Sequence, residues 1–154
     1  MKTFCLENEL WVPRERNQVF EFFADPRNLE RLTPPWLHFE MLTAPGAPLR
    51  RGTLLDYRLR LHGFPLRWQS EIKLWDPPGR FLDRQTRGPY SFWEHEHTFV
   101  QRDEGTLVTD RVEYAVPGGR LVQKFLAGPD LERIFRFRRR VLTEIFNPGL
   151  RHDR

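Results

Sequence analysis

The sequence holds a single cysteine, Cys5, in 154 residues. That excludes an internal disulfide framework and any cysteine-based metal cluster. No run comes near the roughly eighteen apolar residues of a bilayer-spanning helix. The amino terminus reads MKTFCLENEL, with Glu7 and Glu9 where a secretory signal needs its apolar core. The expectation is a soluble, cytoplasmic protein. Lysine is also scarce: of 25 basic residues only Lys2, Lys73 and Lys124 are lysines. Beside 13 prolines, so strong an arginine bias points to a GC-rich genome rather than to a phosphate-reading surface. The net charge is only +4 with both signs interspersed, whereas a nucleic-acid surface needs a concentrated patch. The one dense basic run, Arg133, Arg136, Arg138, Arg139 and Arg140, reads as the wet side of a helix. Nucleic acid is therefore not an expected partner. No phosphate-binding loop is found either: Gly118-Gly119 follows a strand but lacks the rest of either nucleotide fingerprint.

What is present is a globular composition. Hydrophobic residues make up 39% and aromatics 14% of the chain, too many aromatics for disorder at so small a net charge. The length fits one domain over 1–154, without internal repeats.

Residues 3–12 alternate, with Phe4, Leu6, Leu10 and Val12 on one face and Cys5, Glu7 and Glu9 on the other, which predicts a strand. Pro13 suits a helix start, and Val19, Phe20 and Phe23 form one apolar stripe. Asp25-Pro26 repeats the start signal for a second short helix through Leu29 and Leu32. Thr33-Pro34-Pro35 stops it. From there to about residue 115 the period is two. Strands are expected over 37–43 (Leu37, Phe39 and Met41 inward), 53–61 (Leu55, Tyr57, Leu59 and Leu61) and 66–74 (Leu66, Trp68, Ser70, Ile72 and Leu74). Three more follow: one carrying Phe81, Asp83 and Gln85, then 91–99 and 106–114. Residues 44–52 read as a loop. Short connections make these strands an antiparallel meander with one apolar and one wet face.

After Pro117-Gly118-Gly119 the period changes. Leu121, Val122, Phe125 and Leu126 begin an amphipathic helix of about 25 residues that continues through Leu131, Phe135, Leu142 and Phe146. Gly128-Pro129 must kink it or split off its first turns. The expected class is α+β: a curved antiparallel sheet of about seven strands wrapped around the long C-terminal helix, with two short helices after the first strand. The helix has only the sheet's apolar face to cover it, and the space between them can hold a ligand if the helix is lifted.

At this point the chain resembles the START-like, or SRPBCC, superfamily, with the helix-grip fold of the major birch pollen allergen. The similarity is greatest to its bacterial polyketide cyclase/dehydrase or cell-division-inhibitor-like branch. It rests on Phe22-Phe23 with Asp25-Pro26 and Asn28-Leu29, then Thr33-Pro34-Pro35-Trp36. Asp76-Pro77-Pro78, Gly88-Pro89-Tyr90 and the W-x-H-x-H-x-F run of Trp93, His95, His97 and Phe99 continue it. Gly105-Thr106, Asp110, Tyr114, Ile134-Phe135 and Phe137-Arg138 complete it, so that it covers almost the whole chain. The resemblance implies a cavity for lipids, hormones, polyketides or quinones. No single motif in it is catalytic.

The informative residues are polar ones on the apolar face. Trp93, His95, His97 and Phe99 share one side of their strand. Asp83 and Gln85 accompany Phe81, Asp110 accompanies Tyr114, and Arg138 lies in the helix stripe at four residues from both Ile134 and Leu142. Buried charges are costly unless paired. One reading is a satisfied network in which Arg138 and the histidines neutralise Asp83 and Asp110. A second is that these groups, with Tyr57 or Gln85, orient the polar end of a small hydrophobic or amphipathic ligand. Its apolar body would contact Leu59, Trp68, Phe81, Trp93, Tyr114 and Phe135, with Trp36 at the entrance. Such a ligand needs a cavity on the order of 300 Å³. A third reading is a cyclase, aromatase or dehydratase that uses the histidines as general acid and base. An interaction module with no small ligand is a fourth. His95, His97 and a carboxylate could ligate zinc or iron, but Arg138 in the same space opposes a cation, and no metal or cofactor is expected. Cys5, on the wet face of an outer strand, is not an expected nucleophile. His38, His62 and His152 read as surface or loop residues.

Overall fold

The computed structural model describes residues 1–43 and 48–149. Part of the expected 44–52 loop, and His152, lie outside the described residues. Strand β1 (Phe4–Val12) is followed by helices α1 (Arg16–Ala24) and α2 (Asn28–Arg31) and a 3₁₀ turn (Pro35–Leu37). Then come β2 (Glu40–Met41), β3 (Leu54–Leu61), β4 (Phe64–Asp76), β5 (Arg80–Arg87), β6 (Phe92–Arg102) and β7 (Gly105–Ala115). The seven strands form one antiparallel sheet in the order β1-β7-β6-β5-β4-β3-β2. The C-terminal segment runs as α3 (Gly119–Val122), a π turn (Gln123–Ala127) and α4 (Gly128–Phe146).

The strand faces follow the alternation of the sequence. In β6, Trp93, His95, His97 and Phe99 are buried, and Glu94, Glu96 and Thr98 are half-buried on the opposite side. Two local events change the expected pattern. The strand expected over 37–43 is only two residues long. The 3₁₀ turn precedes it, and successive side chains there point about a third of a turn apart, so Leu37 goes inward while Trp36 faces out. In β4 the pairing with β5 slips between Ile72 and Leu74. A bulge of this kind exchanges the faces of the residues after it. Trp75, opposite Phe81, therefore enters the core where the alternation placed Leu74.

The long helix departs from expectation at its start. Pro129 has no N–H to donate and its ring crowds the preceding turn. The chain widens before it, and the Gly128 amide reaches back five residues to the Gln123 carbonyl. A side chain at Gly128 would lie 2.8 Å from that carbonyl oxygen, so glycine is what allows the approach. The extra residue shifts the helical phase. Leu131, Phe135, Arg138 and Leu142 of α4 face the sheet and are buried, while Leu121, Phe125 and Leu126 are 70%, 66% and 49% exposed. These three belong to the wet side, contrary to the single apolar stripe read from the sequence. The dense arginine run divides in the same way: Arg133, Arg136, Arg139 and Arg140 are exposed and Arg138 is buried.

Candidate functional site: a cavity with one polar wall

Between α4 and the concave face of β3–β6 lies a cavity of about 190 Å³. Of the residues expected there, Tyr57, Leu59, Trp68, Phe81, Trp93 and Phe135 supply apolar lining. Asp83, His95, His97 and Arg138 form the polar wall. The volume falls below the expected 300 Å³ because aromatic rings fill the space. Tyr57 stacks on Trp68 at 5.9 Å, Trp93 meets Trp68 edge-on at 5.2 Å, and Phe81 stacks on His97 at 4.1 Å. The half-buried Asp25, Pro26, Asn28, Leu29 and Thr33 line its side nearest α2.

The polar wall is held by paired registers. His95 of β6 faces Val112 with Asp110 two residues away on β7, and His97 faces Asp110 directly. A ring nitrogen of His95, Nε2, lies 2.8 Å from Asp110 Oδ1, and His97 Nε2 lies 2.9 Å from Asp83 Oδ2 on β5. The two imidazoles stack, with centroids 3.8 Å apart. From α4, Arg138 donates through Nε and Nη2 to both oxygens of Asp110, at 3.2 and 3.1 Å. This two-point geometry fixes orientation as well as charge. The guanidinium also lies 5.3 Å from the ring of Phe23 and 5.8 Å from that of Phe135, positions that favour a cation.

The electrostatics follow from burial and pairing. Burial alone would raise the Asp110 carboxyl, but the Arg138 charge and the His95 hydrogen bond hold it well below the carboxylate range. Burial opposes ionisation of Asp83 too, and the His97 hydrogen bond with the neighbouring charges lowers it nonetheless. Burial and the adjacent His95 push His97 down to about 4, against the pull of Asp83 and Asp110. His97 is therefore neutral near pH 7. Facing an ionised Asp83, it carries its proton on Nε2, which leaves Nδ1 as a lone pair. That Nδ1 is buried without a hydrogen-bond partner among the described residues, 3.6 Å from Asp110 Oδ1. Burial and the charge of Asp83 push the Tyr57 phenol up, so it remains protonated.

Four expected ligand contacts lie elsewhere. Trp36 is 49% exposed and packs on Phe137 of α4 at 5.9 Å, outside the cavity. Asp110 sits behind the wall, where it holds Arg138 and His95. Tyr114 is buried four residues further along β7, and its hydroxyl accepts a hydrogen bond from Gln123 at 3.2 Å. Gln85 clamps the backbone of Tyr90, donating to its carbonyl at 2.8 Å and accepting from its amide at 3.1 Å. That clamp turns the Tyr90 ring into the cavity, a position the sequence analysis did not assign to the site. Phe23 and Ser70 also line it. Phe23 was legible as part of the α1 stripe, and only the packing shows which surface that stripe meets.

Asp83, His95 and His97 each offer a ligand atom, all within 4.8 Å of one another. Both Nε2 atoms are bonded to carboxylates, which leaves Nδ1 of each ring, but the Arg138 cation held on Asp110 stands in the same space and opposes a second cation. The donor set does not favour a metal ion. Among the described residues no helix is long and apolar enough to cross a membrane.

A seven-stranded antiparallel sheet closed over a C-terminal helix, with a cavity between them, defines the helix-grip class. The family model described as polyketide cyclase/dehydrase and lipid transport matches residues 12–140, and the chain belongs to that family. Among solved structures it is similar to protein Ms6760 from Mycobacterium smegmatis, at 17% identity and a TM-score of 0.68, covering 95% of this chain and 92% of that one. It is similar to ginseng major latex-like protein 151 from Panax ginseng, at 14% identity, a TM-score of 0.68 and coverage of 95% and 99%. A third is the Zhui aromatase/cyclase from Streptomyces sp. R1128, at 14% identity, a TM-score of 0.67 and coverage of 96% and 99%. These likenesses establish the shared fold. No curated protein matches the chain significantly in sequence.

Proposed function

We propose that this protein binds a small hydrophobic or amphipathic molecule in the cavity between the sheet and α4. The observation that carries the reading is a mostly apolar cavity with Asp83, His95, His97 and Arg138 gathered on one wall, the arrangement that fixes the orientation of a ligand with one polar end. Members of a family described by both cyclase and lipid-transport activities give the ligand class its context. The size narrows it. A cavity of about 150 Å³ holds benzene in an engineered protein, so about 190 Å³ suits a single ring or a short chain. A larger polyketide, lipid or quinone-like molecule would need the aromatic lining to move. Native mass spectrometry of the purified protein, with solvent extraction of what accompanies it, tests this. Protein that carries nothing and takes up no small aromatic or short-chain amphiphile overturns it.

A second reading is supported by the two histidine–carboxylate pairs at the wall. A neutral imidazole oriented by a carboxylate is the arrangement of a general base. A cyclase, aromatase or dehydratase would use it to remove a proton beside a ketone carbonyl. Under this reading His95→Ala and His97→Ala abolish turnover of such a ketone while the fold persists. Unfolding of both variants favours the purely structural network.

A further inference from the structure

Two carboxylates, Asp83 and Asp110, share the interior with one permanent cation, Arg138, and their pairing is uneven. Asp110 takes both Nε and Nη2 of the guanidinium as well as the His95 ring nitrogen. It does so from behind the wall, so the Arg138 charge that lines the cavity is already paired, and Phe23 and Phe135 lie against it. Asp83 has no cation of its own. Its Oδ2 is bonded to His97, and among the described residues its Oδ1 accepts no hydrogen bond. It lines the cavity with 18% of its side chain exposed. No lysine and no second arginine stands among the described lining residues. Asp25, the other lining carboxylate, is bonded to the exposed Arg27 at 2.8 Å, so the charge left uncompensated at the wall is negative and sits on Asp83.

Between apolar walls a charge acts far more strongly than in water. We infer that the cavity selects molecules whose polar end donates a hydrogen bond (a hydroxyl, phenol or protonated amine seated on Asp83) and rejects those ending in a carboxylate. A hydroxyl or ammonium donates to the open Oδ1 without disturbing the bond to His97. A carboxylate has no proton to give and would add a third anion beside Asp83 and Asp110, at the cost of its own desolvation. The inference rests on the ligand-binding reading and gives that ligand a chemical class.

Octan-1-ol, octylamine and octanoate share one short tail and differ only at the end group. They are titrated into the full-length protein by isothermal calorimetry at pH 8, where a free imidazole is neutral. The alcohol and the amine are expected to bind at least about tenfold more tightly than octanoate, the ratio that 1.4 kcal/mol gives. Asp83→Asn keeps the shape and removes the charge. It is expected to weaken octylamine and strengthen octanoate until the gap closes to about threefold. Octanoate binding to the wild-type protein as tightly as octan-1-ol overturns the inference and leaves the cavity reading standing. Failure of all three to bind overturns both. The wild-type ranking needs no variant. An Asp83→Asn protein with a native circular-dichroism melt and an unchanged ranking also overturns the inference.

Discussion

The two ends of the interior are built from similar residue types and differ in how they use them. Beneath α1, Phe20 meets Trp75, Phe99 and Phe81 edge-on, at 5.1, 5.3 and 5.9 Å, and Phe22 meets Phe146 at 5.2 Å. Val12, Val19 and Phe99 there are 0–1% exposed, and polar groups meet that cluster at its border with the cavity, where His97 stacks on Phe81 and Arg138 lies over Phe23. Between α4 and strands β3–β6, aromatic side chains are as dense, but charged groups stand among them and a cavity remains. The first region is packed as a closed core, where every removed atom leaves a void. The second already holds a void and relies on paired charges for its order. Close packing and the cavity thus lie toward different ends of one sheet, with Phe23 and Phe81 shared between them.

Truncation separates the regions most sharply. Phe99→Ala should lose about 3–5 kcal/mol in denaturant unfolding, and Leu59→Ala at the cavity wall only about 2. Equal losses would break the contrast. Asp110→Ala should cost a comparable 3–5 kcal/mol, because it strands the buried Arg138 cation. The double change Asp110→Leu with Arg138→Met should recover most of that loss, since it removes both charges together. A double variant as unstable as the single would show that the pair contributes more than charge balance.

The pH dependence sharpens the same comparison. Between about pH 6.5 and about 4, the unfolded chain protonates the histidine that the folded protein keeps neutral at position 97. The unfolded state then binds more protons, so stability falls as pH falls through that window. Asp83 and Asp110, ionised in the fold and lowered by their partners, add a further loss in the same direction below the ordinary carboxylate range. Denaturation midpoints measured from pH 8 to pH 4 should decline, and the decline above pH 4 should flatten in His97→Gln. An unchanged slope would mean that His97 is not the group responsible. The smallest effect is expected on the wet face. Arg84 bonds Glu94 at 2.9 Å across β5 and β6, yet it is exposed, and Arg84→Ala should cost less than about 1 kcal/mol.

Much of the site is legible in the sequence. The alternation of Trp93, His95, His97 and Phe99 placed both imidazoles inside, and four-residue spacing placed Arg138 on the stripe that meets them. Which side chains reach the cavity was not legible. Gln85, Asp110 and Tyr114 share the inward face, but a hydrogen bond to Tyr90, a guanidinium or Gln123 engages each of them outside the cavity lining. Trp36 escaped because a 3₁₀ turn, not a strand, sets its direction. Trp75 replaced Leu74 because a bulge exchanges strand faces without leaving a mark in the alternation.

Local patterns settled the element order, the antiparallel sheet and the inward polar residues, since each depends on periods of two or about 3.6 that neighbouring residues enforce on one another. Three things depended on the assembled chain. They are the phase of the helix after the π turn, the division of carboxylates between cavity wall and its rear, and the volume left among the aromatic rings. Each is set by distances between segments far apart in sequence, which no local spacing encodes.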